Sequence, residues 1–271
     1  NSHVLQKNGI LSQISLNNHI IEVKPTNIWE INGQGIFKYQ EIGINEGFSF
    51  PGFCAHHDSE IFKPIESNKV DFYLYKAQCL FSYRGLCQEI RRKQQVELFL
   101  RNIISIREKF TIMDVSEIFE DFKIGIGLGI KNLNYFKNQL EKDIFGEEKN
   151  FQFTTLKRPY LEVCTSAPVN IKEPDEKEAE SIEEYVYNAN NSIWPTTFIS
   201  VFPAVNESIW LIGEHKMHCS SFTPQLLNSE YEIALSELLI LRMEYWCMSQ
   251  DFLNKFIKPN MAEIKKIFTE N

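Results

Sequence analysis

Phe198-Ile199-Ser200-Val201-Phe202, then Pro203-Ala204-Val205-Asn206-Glu207-Ser208, then Ile209-Trp210-Leu211-Ile212 decide the class of this fold. Two runs of β-branched and aromatic residues flank a short polar link with Pro and Asn, which predicts an antiparallel hairpin. Such pairing needs no crossover helix. Working outward, Phe151 to Leu156 and Tyr160 to Thr165 read as two more strands. Before them, Asp71 to Phe110 carries Leu74, Ala77, Phe81, Leu86 and Ile90 at helical spacing, with a charged opposite face. Asp114 to Phe145 repeats that pattern and ends at Gly146, a helix C-cap. A short turn between two long helices predicts an antiparallel helical hairpin. Ser229 to Phe256 reads as one helix N-capped by Ser229, with a shorter helix after Pro259.

The N-terminal region differs. Residues 9 to 50 alternate short apolar runs (Ile20-Ile21-Glu22-Val23, Trp29-Glu30-Ile31, Gly35-Ile36-Phe37) with Gly, Asn and Pro, the pattern of small strands and turns. A short helix from His56 to about Glu66 is interrupted near Pro64. With no regular βαβ alternation, the expectation is an α+β fold. Its parts are a strand/turn module at 1–66 and a body at 67–271 holding the helical hairpin, the antiparallel strands of 151–213 and the C-terminal helices. One continuous domain is the alternative.

Composition narrows the function classes. The chain of 271 residues has 43% hydrophobic residues, 21 Phe among them, and 24% charged residues, enough for a packed core and too few charges for wholesale disorder. Its net charge of −8, from 36 acidic and 28 basic residues, argues against a surface built for broad contact with phosphate backbones. One local basic stretch, Arg84 to Lys93, reads as a solvated helix face. The six cysteines follow no disulfide-framework spacing and read as reduced thiols. No leader and no bilayer-length apolar run is present, so the expectation is a cytoplasmic, soluble protein without a membrane partner. Abundant Ile, Asn, Lys and Phe correlate with an AT-rich bacterial genome. Protein partners, self-association and a local nucleic-acid contact stay open.

The densest chemistry lies in Phe53-Cys54-Ala55-His56-His57-Asp58, after the turn-forming Pro51-Gly52. Cys54 and His57 stand in C-x-x-H spacing, which at a turn entering a helix can reach one tetrahedral zinc. Two ligands do not complete a site. His3 offers a third imidazole, and Glu214-His215-Lys216-Met217-His218-Cys219 offers H-x-x-H and H-x-x-x-C pairs, so His3 and His218 join Cys54 and His57 as candidate ligands. The bland alternative makes Cys54 a buried thiol and the histidines ordinary hydrogen-bonding side chains.

Ser2-His3-Val4 followed by Phe53-Cys54-Ala55-His56-His57 resembles a worn HNH-endonuclease or treble-clef pattern. The resemblance covers at most the first quarter of the chain. It implies that His3 acts as general base, His57 as a late metal ligand and Cys54 as a structural ligand. Nucleic-acid sensing or cleavage in antiviral defence is the function it carries. The chain departs from the pattern at Ser2, where the family has an acidic residue, and lacks a C-x-x-C pair; such a pair upstream of Asn1 would complete the set. The longer phrase from Gly52 to Glu66 also resembles a motif in uncharacterised bacterial proteins, where an Arg-x-Glu-x-aromatic segment like Arg242-Met243-Glu244-Tyr245-Trp246 recurs.

Another class uses the same residues. A Cys opening a helix, with a His after a distant strand, is the order found in papain-like hydrolases, with Cys54 as nucleophile and His215 as base. A third reading is a non-catalytic interaction protein. His57-Asp58 as part of an HD-type phosphohydrolase is set aside, because the upstream region reads as strands. Gly125-Ile126-Gly127-Leu128-Gly129 lacks the G-K-[ST] ending of a phosphate loop, and its glycines are expected to allow close helix packing or a kink. Arg242 and Glu244 are expected to anchor the C-terminal helix.

Overall fold

The hairpin of residues 198–212 forms two interior strands of an antiparallel sheet in the computed structural model, which describes residues 2–6, 9–25, 37–66, 70–107, 116–170, 181–220, 223–228 and 231–269. Chain order gives β1 (Ser2–His3), β2 (His19–Pro25), β3 (Phe37–Gly43), β4 (Ser49–Phe50) and α1 (Ala55–Phe62). Next come the long helices α2 (Tyr75–Arg107) and α3 (Ser116–Phe145), then β5 (Phe151–Pro159), β6 (Val163–Asn170) and α4 (Ile182–Asn191). The chain closes with β7 (Thr196–Ala204), β8 (Glu207–His215), α5 (Thr223–Leu227), α6 (Tyr231–Glu237), β9 (Trp246–Met248), α7 (Gln250–Phe252) and α8 (Met261–Thr269). Seven strands pair in the order β3-β2-β9-β6-β7-β8-β5, every pair antiparallel, which makes this an α+β fold.

Both faces of that sheet are covered. Phe198 and Phe202 of β7 with Ile209 and Leu211 of β8 pack toward α2 and α3. Their alternates Ile199, Val201, Trp210 and Ile212 pack with Leu235, Leu238 and Leu239 of the C-terminal helices. Burial on two sides explains why these strands read as continuous apolar runs instead of alternating ones. The expected link of six residues is shorter in fact: pairing extends to Ala204 opposite Glu207, and Asn206 takes the left-handed φ of 63° in a two-residue turn.

Several sequence expectations need correction. Ser229 to Phe256 is not one helix. After α6 a wider π turn covers Leu238–Arg242, Met243 turns extended with ψ of 117°, and Trp246–Met248 forms β9 between β2 and β6. The three residues Trp, Cys and Met suit a strand buried on both faces: Trp246 and Met248 enter one core, Cys247 the other. Through β9 the N-terminal strands β2 and β3 join the body, so the sheet runs across residue 66. Among the described residues, the glycines of α3 do not serve close packing. A Cβ at Gly125 or Gly127 would meet nothing within 4 Å, and one at Gly129 only the Lys93 side chain. Arg84 is not solvated but buried, and Arg92 and Lys93 are paired with Glu89. Trp29-Glu30-Ile31, the Ser229 cap and most of the Glu-rich segment Lys172 to Glu184, which reads as an exposed loop or helix face, lie outside the described residues.

Candidate functional site

Gly52 sets the entry to α1. A Cβ there would fall 2.1 Å from the Phe50 ring, so any other residue would have to displace that buried ring. Phe53 then wedges inward, edge-on to Phe62 at 4.9 Å between ring centroids. With Phe53 anchored, Cys54 becomes the N-cap residue of α1, in extended geometry (φ −71°, ψ 157°), and its carbonyl accepts the Asp58 amide at 2.9 Å. One helical turn later His57 lies over the thiol, with Sγ and Nδ1 3.4 Å apart. Cys54, His56 and His57 are exposed.

The opposite side of α1 is held rigidly. Arg84 of α2 extends under it, with Nη2 donating to Asp58 at 2.9 Å, Nη1 donating to Glu66, and the guanidinium 4.4 Å from the Phe62 ring centroid. The Gln6 amide donates to the Glu66 carbonyl at 2.8 Å, tying the N-terminal segment to the same clamp. β1 pairs antiparallel with β4 immediately before α1, a strand–strand–helix unit. His3 on β1 donates from Nδ1 to the Gly47 carbonyl at 3.3 Å, which in the neutral ring leaves Nε2 as the basic nitrogen. A cleft of about 450 Å³ is lined by Ser2, His3, Phe53, Ala55, Asp58 and Arg84, among others. The structure therefore brings His3 and α1 to one cleft and Cys54 to His57.

His215 and His218 sit elsewhere. His215 ends β8, buried, and its ring centroid lies 5.1 Å from that of His218. The Met217 amide donates to His215 Nδ1 at 3.2 Å, and the Tyr135 hydroxyl meets His218 Nε2 at 3.3 Å. Burial lowers both imidazole pKa values; for His215 the neighbouring His218 adds to the lowering and Asp143 opposes it. Asp143 itself accepts from the Tyr75 hydroxyl and from the backbone amides of Asn150 and Phe151. The contacts of His215 and those of Cys54 do not overlap, so the nucleophile–base pair expected from a hydrolase order is not assembled. The shared-ligand expectation of His218 with Cys54 meets the same geometry. Among the described residues, no group of three or more His, Cys, Asp or Glu side chains is arranged to hold a metal ion.

Sequence reading passed over Arg84 and Asp143. Arg84 was hidden in a basic helical stretch; its partners lie 26 and 18 residues upstream, and only the fold joins them. The six cysteines are free, three of them (Cys79, Cys164, Cys247) buried, as the expectation of reduced thiols required. Among the described residues no helix is long and apolar enough to cross a membrane. No protein-family model, curated protein or solved structure matches this chain.

Proposed function

We propose that the β1–β4–α1 unit is a zinc-binding element in which Cys54 Sγ and His57 Nδ1 are two of the ligands. One observation carries this reading. Two ligands on a tetrahedral zinc, with bonds near 2.3 Å to sulfur and 2.0–2.1 Å to nitrogen, stand roughly 3.6 Å apart. The Cys54–His57 separation is 3.4 Å, already close to that span. The pair is exposed on a clamped helix and fills no core space, so a second donor set from solvent or another segment can close the coordination sphere. The pairing of β1 with β4 before α1 is in keeping with the HNH-like resemblance, which would make His3 the general base of a metal-dependent nuclease, although the cleft that holds His3 opens beside Asp58 and Arg84 and not on Cys54 and His57.

Chelator-washed protein given zinc and then dialysed should retain about one zinc per chain. Cobalt in its place should give a thiolate-to-metal charge-transfer band that Cys54→Ser removes. Retention of zinc by a Cys54→Ser, His57→Ala double variant, or no zinc uptake by the folded wild type, would refute the assignment. Loss of magnesium- or manganese-dependent DNA cleavage in His3→Ala tests the nuclease step separately.

A further inference from the structure

Strand β9 ends early, and its end leaves a cavity beside β6. β6 pairs with β7 from Thr165 to Asn170, but with β9 only at Val163 and Cys164. The chain that enters β9 turns away there, its Tyr245 carbonyl accepting from the Thr165 hydroxyl at 3.1 Å. Among the described residues, no strand lies along that side of β6 from Ala167 to Asn170. Helix α2 closes the gap with Gly85, Gln88, Glu89 and Arg92, which share one face by their spacing of three and four residues. The cavity has a volume of about 160 Å³. A space of that size admits a body as large as a benzene ring.

Its two walls differ in chemistry. Leu133, Val169 and Met243, all buried, form an apolar side. Gln88, Arg92, Lys93 and Arg242 form a side of hydrogen-bond donors. Gln88 is 4% exposed, yet its side-chain amide has no hydrogen-bond partner among the described residues. Folded proteins leave few such groups buried. Arg242, expected to anchor a helix, ends the π turn instead, exposed and without an ion pair among the described residues. Arg92 is held over the Tyr245 ring, 5.1 Å from its centroid. Its ion pairs with Glu89 and Glu244 are long, 3.5 and 3.3 Å, against ~2.7–2.9 Å for a charge-assisted hydrogen bond. The donors are thus positioned by the chain but only loosely engaged by it.

Charge selects the ligand. Arg92, Lys93 and Arg242 line the cavity with two carboxylates, Glu89 and Glu244, which leaves one positive charge over. Glu22 also lies near Arg92, but it is already paired with Lys24. We propose that this cavity binds a small organic monocarboxylate, its carboxylate held by Arg242, Arg92 and the Gln88 amide and its carbon body against Leu133, Val169 and Met243. One negative charge matches the surplus, whereas a phosphate monoester, near −2, exceeds it. The planar guanidinium fork also fits a carboxylate in two parallel hydrogen bonds.

Titration of the full, zinc-free chain with benzoate, followed by calorimetry and by the benzoate proton line widths, tests this. Benzoate should saturate one site per chain with a dissociation constant of about 1 mM or lower, within the reach of its roughly nine non-hydrogen atoms. Benzamide, the uncharged molecule of the same shape, should bind at least ~10-fold more weakly. Arg242→Gln, at an exposed and unpaired side chain, should weaken benzoate binding at least ~10-fold while leaving the circular dichroism spectrum unchanged. Gln88→Met, which keeps the length of the side chain, should weaken it in the same direction. Failure of benzoate, butyrate and acetate alike to saturate by about 10 mM overturns the proposal and leaves a cavity that holds water alone. Benzamide binding as tightly as benzoate overturns it too, as does inorganic phosphate binding more tightly. So does benzoate binding that both variants leave unchanged. Zinc uptake at Cys54 and His57 is measured on separate samples, so either result stands without the other.

Discussion

Replacing Arg84 should cost less than removing the two carboxylates it holds. The Arg84 side chain is 3% exposed, whereas Asp58 is 25% and Glu66 40% exposed. Arg84→Met keeps the stem volume over Phe62, and it leaves behind carboxylates that water can reach. The loss is then the cation–π contact and two partly screened ion pairs, about 1–2 kcal/mol together. Asp58→Asn with Glu66→Gln instead leaves a guanidinium buried without a counter-charge, which costs about 3–5 kcal/mol. For 271 residues the unfolding entropy near the midpoint is roughly 0.6 kcal/mol/K. The single variant should therefore lower the thermal midpoint by about 2–3 °C and the double by about 5–8 °C. Scanning calorimetry on the three proteins, with urea midpoints as a second measure, decides it. If Arg84→Met is destabilised as much as the double variant or more, the carboxylates rather than the cation bear the desolvation, and the account of the clamp is wrong.

Further outcomes follow from single positions. Gly85→Ala places a Cβ 2.7 Å from the Ser166 carbonyl oxygen, which is backbone and cannot swing away; a loss of about 1–3 kcal/mol is expected by urea denaturation, and a neutral result would mean that α2 can lift from β6. Burial raises the Glu22 carboxyl pKa to about 7, against the opposing pull of the Phe48 amide and Arg92. Its folded pKa lies above the unfolded one, so stability present at low pH declines as pH rises through about 4.5 to 7. Glu22→Gln should flatten that decline, gaining at most about 3 kcal/mol at pH 8, less because the Lys24 ammonium lies against the carboxylate. Equal pH slopes for the variant and the wild type would count against it. For His215 and His218 the sign is reversed: their folded pKa values lie below the usual 6.5, so stability falls as pH drops through 6.5. Unfolding free energies at pH 5 and pH 8 should differ less in His215→Gln than in the wild type.

The parts of the fold legible in the sequence are those whose pattern is local. α2 and α3 carry enough residues to express a helical period, the β7–β8 hairpin shows two apolar runs around a polar link, and the structure contains all three. β9 does not: three residues cannot show alternation, and Trp246-Cys247-Met248 sits in an apolar run that suits a helix equally well. It becomes a strand because β2 and β6, far away in sequence, offer open edges on both sides. The candidate site divides in the same manner. Cys54 and His57 meet because C-x-x-H spans one helical turn, a distance the sequence fixes directly. His215 and His218 meet for the similar reason that a tight turn follows β8. Whether one pair faces the other depends on the sheet between them, and no spacing rule reaches that far.

Burial separates the two clusters by role. A cysteine needed only for packing belongs where Cys79, Cys164 and Cys247 are, in the core, and burial, with Asp143 nearby, pushes the Cys79 thiol up to about 12. Cys54 has no such position: it stands at the solvent end of a helix whose other side is fixed by Phe53, Phe62 and Arg84. That arrangement holds a thiol and an imidazole in one geometry at the surface without using either to stabilise the core. Rigid support with free donors is what a ligand site requires. The His215–His218 pair has the reverse character, neutral rings enclosed by Tyr135, Phe136 and Phe151, where protonation works against the fold. A metal added to this protein should therefore reach Cys54 and His57 first, and the histidines behind β8 only as the packing around them opens.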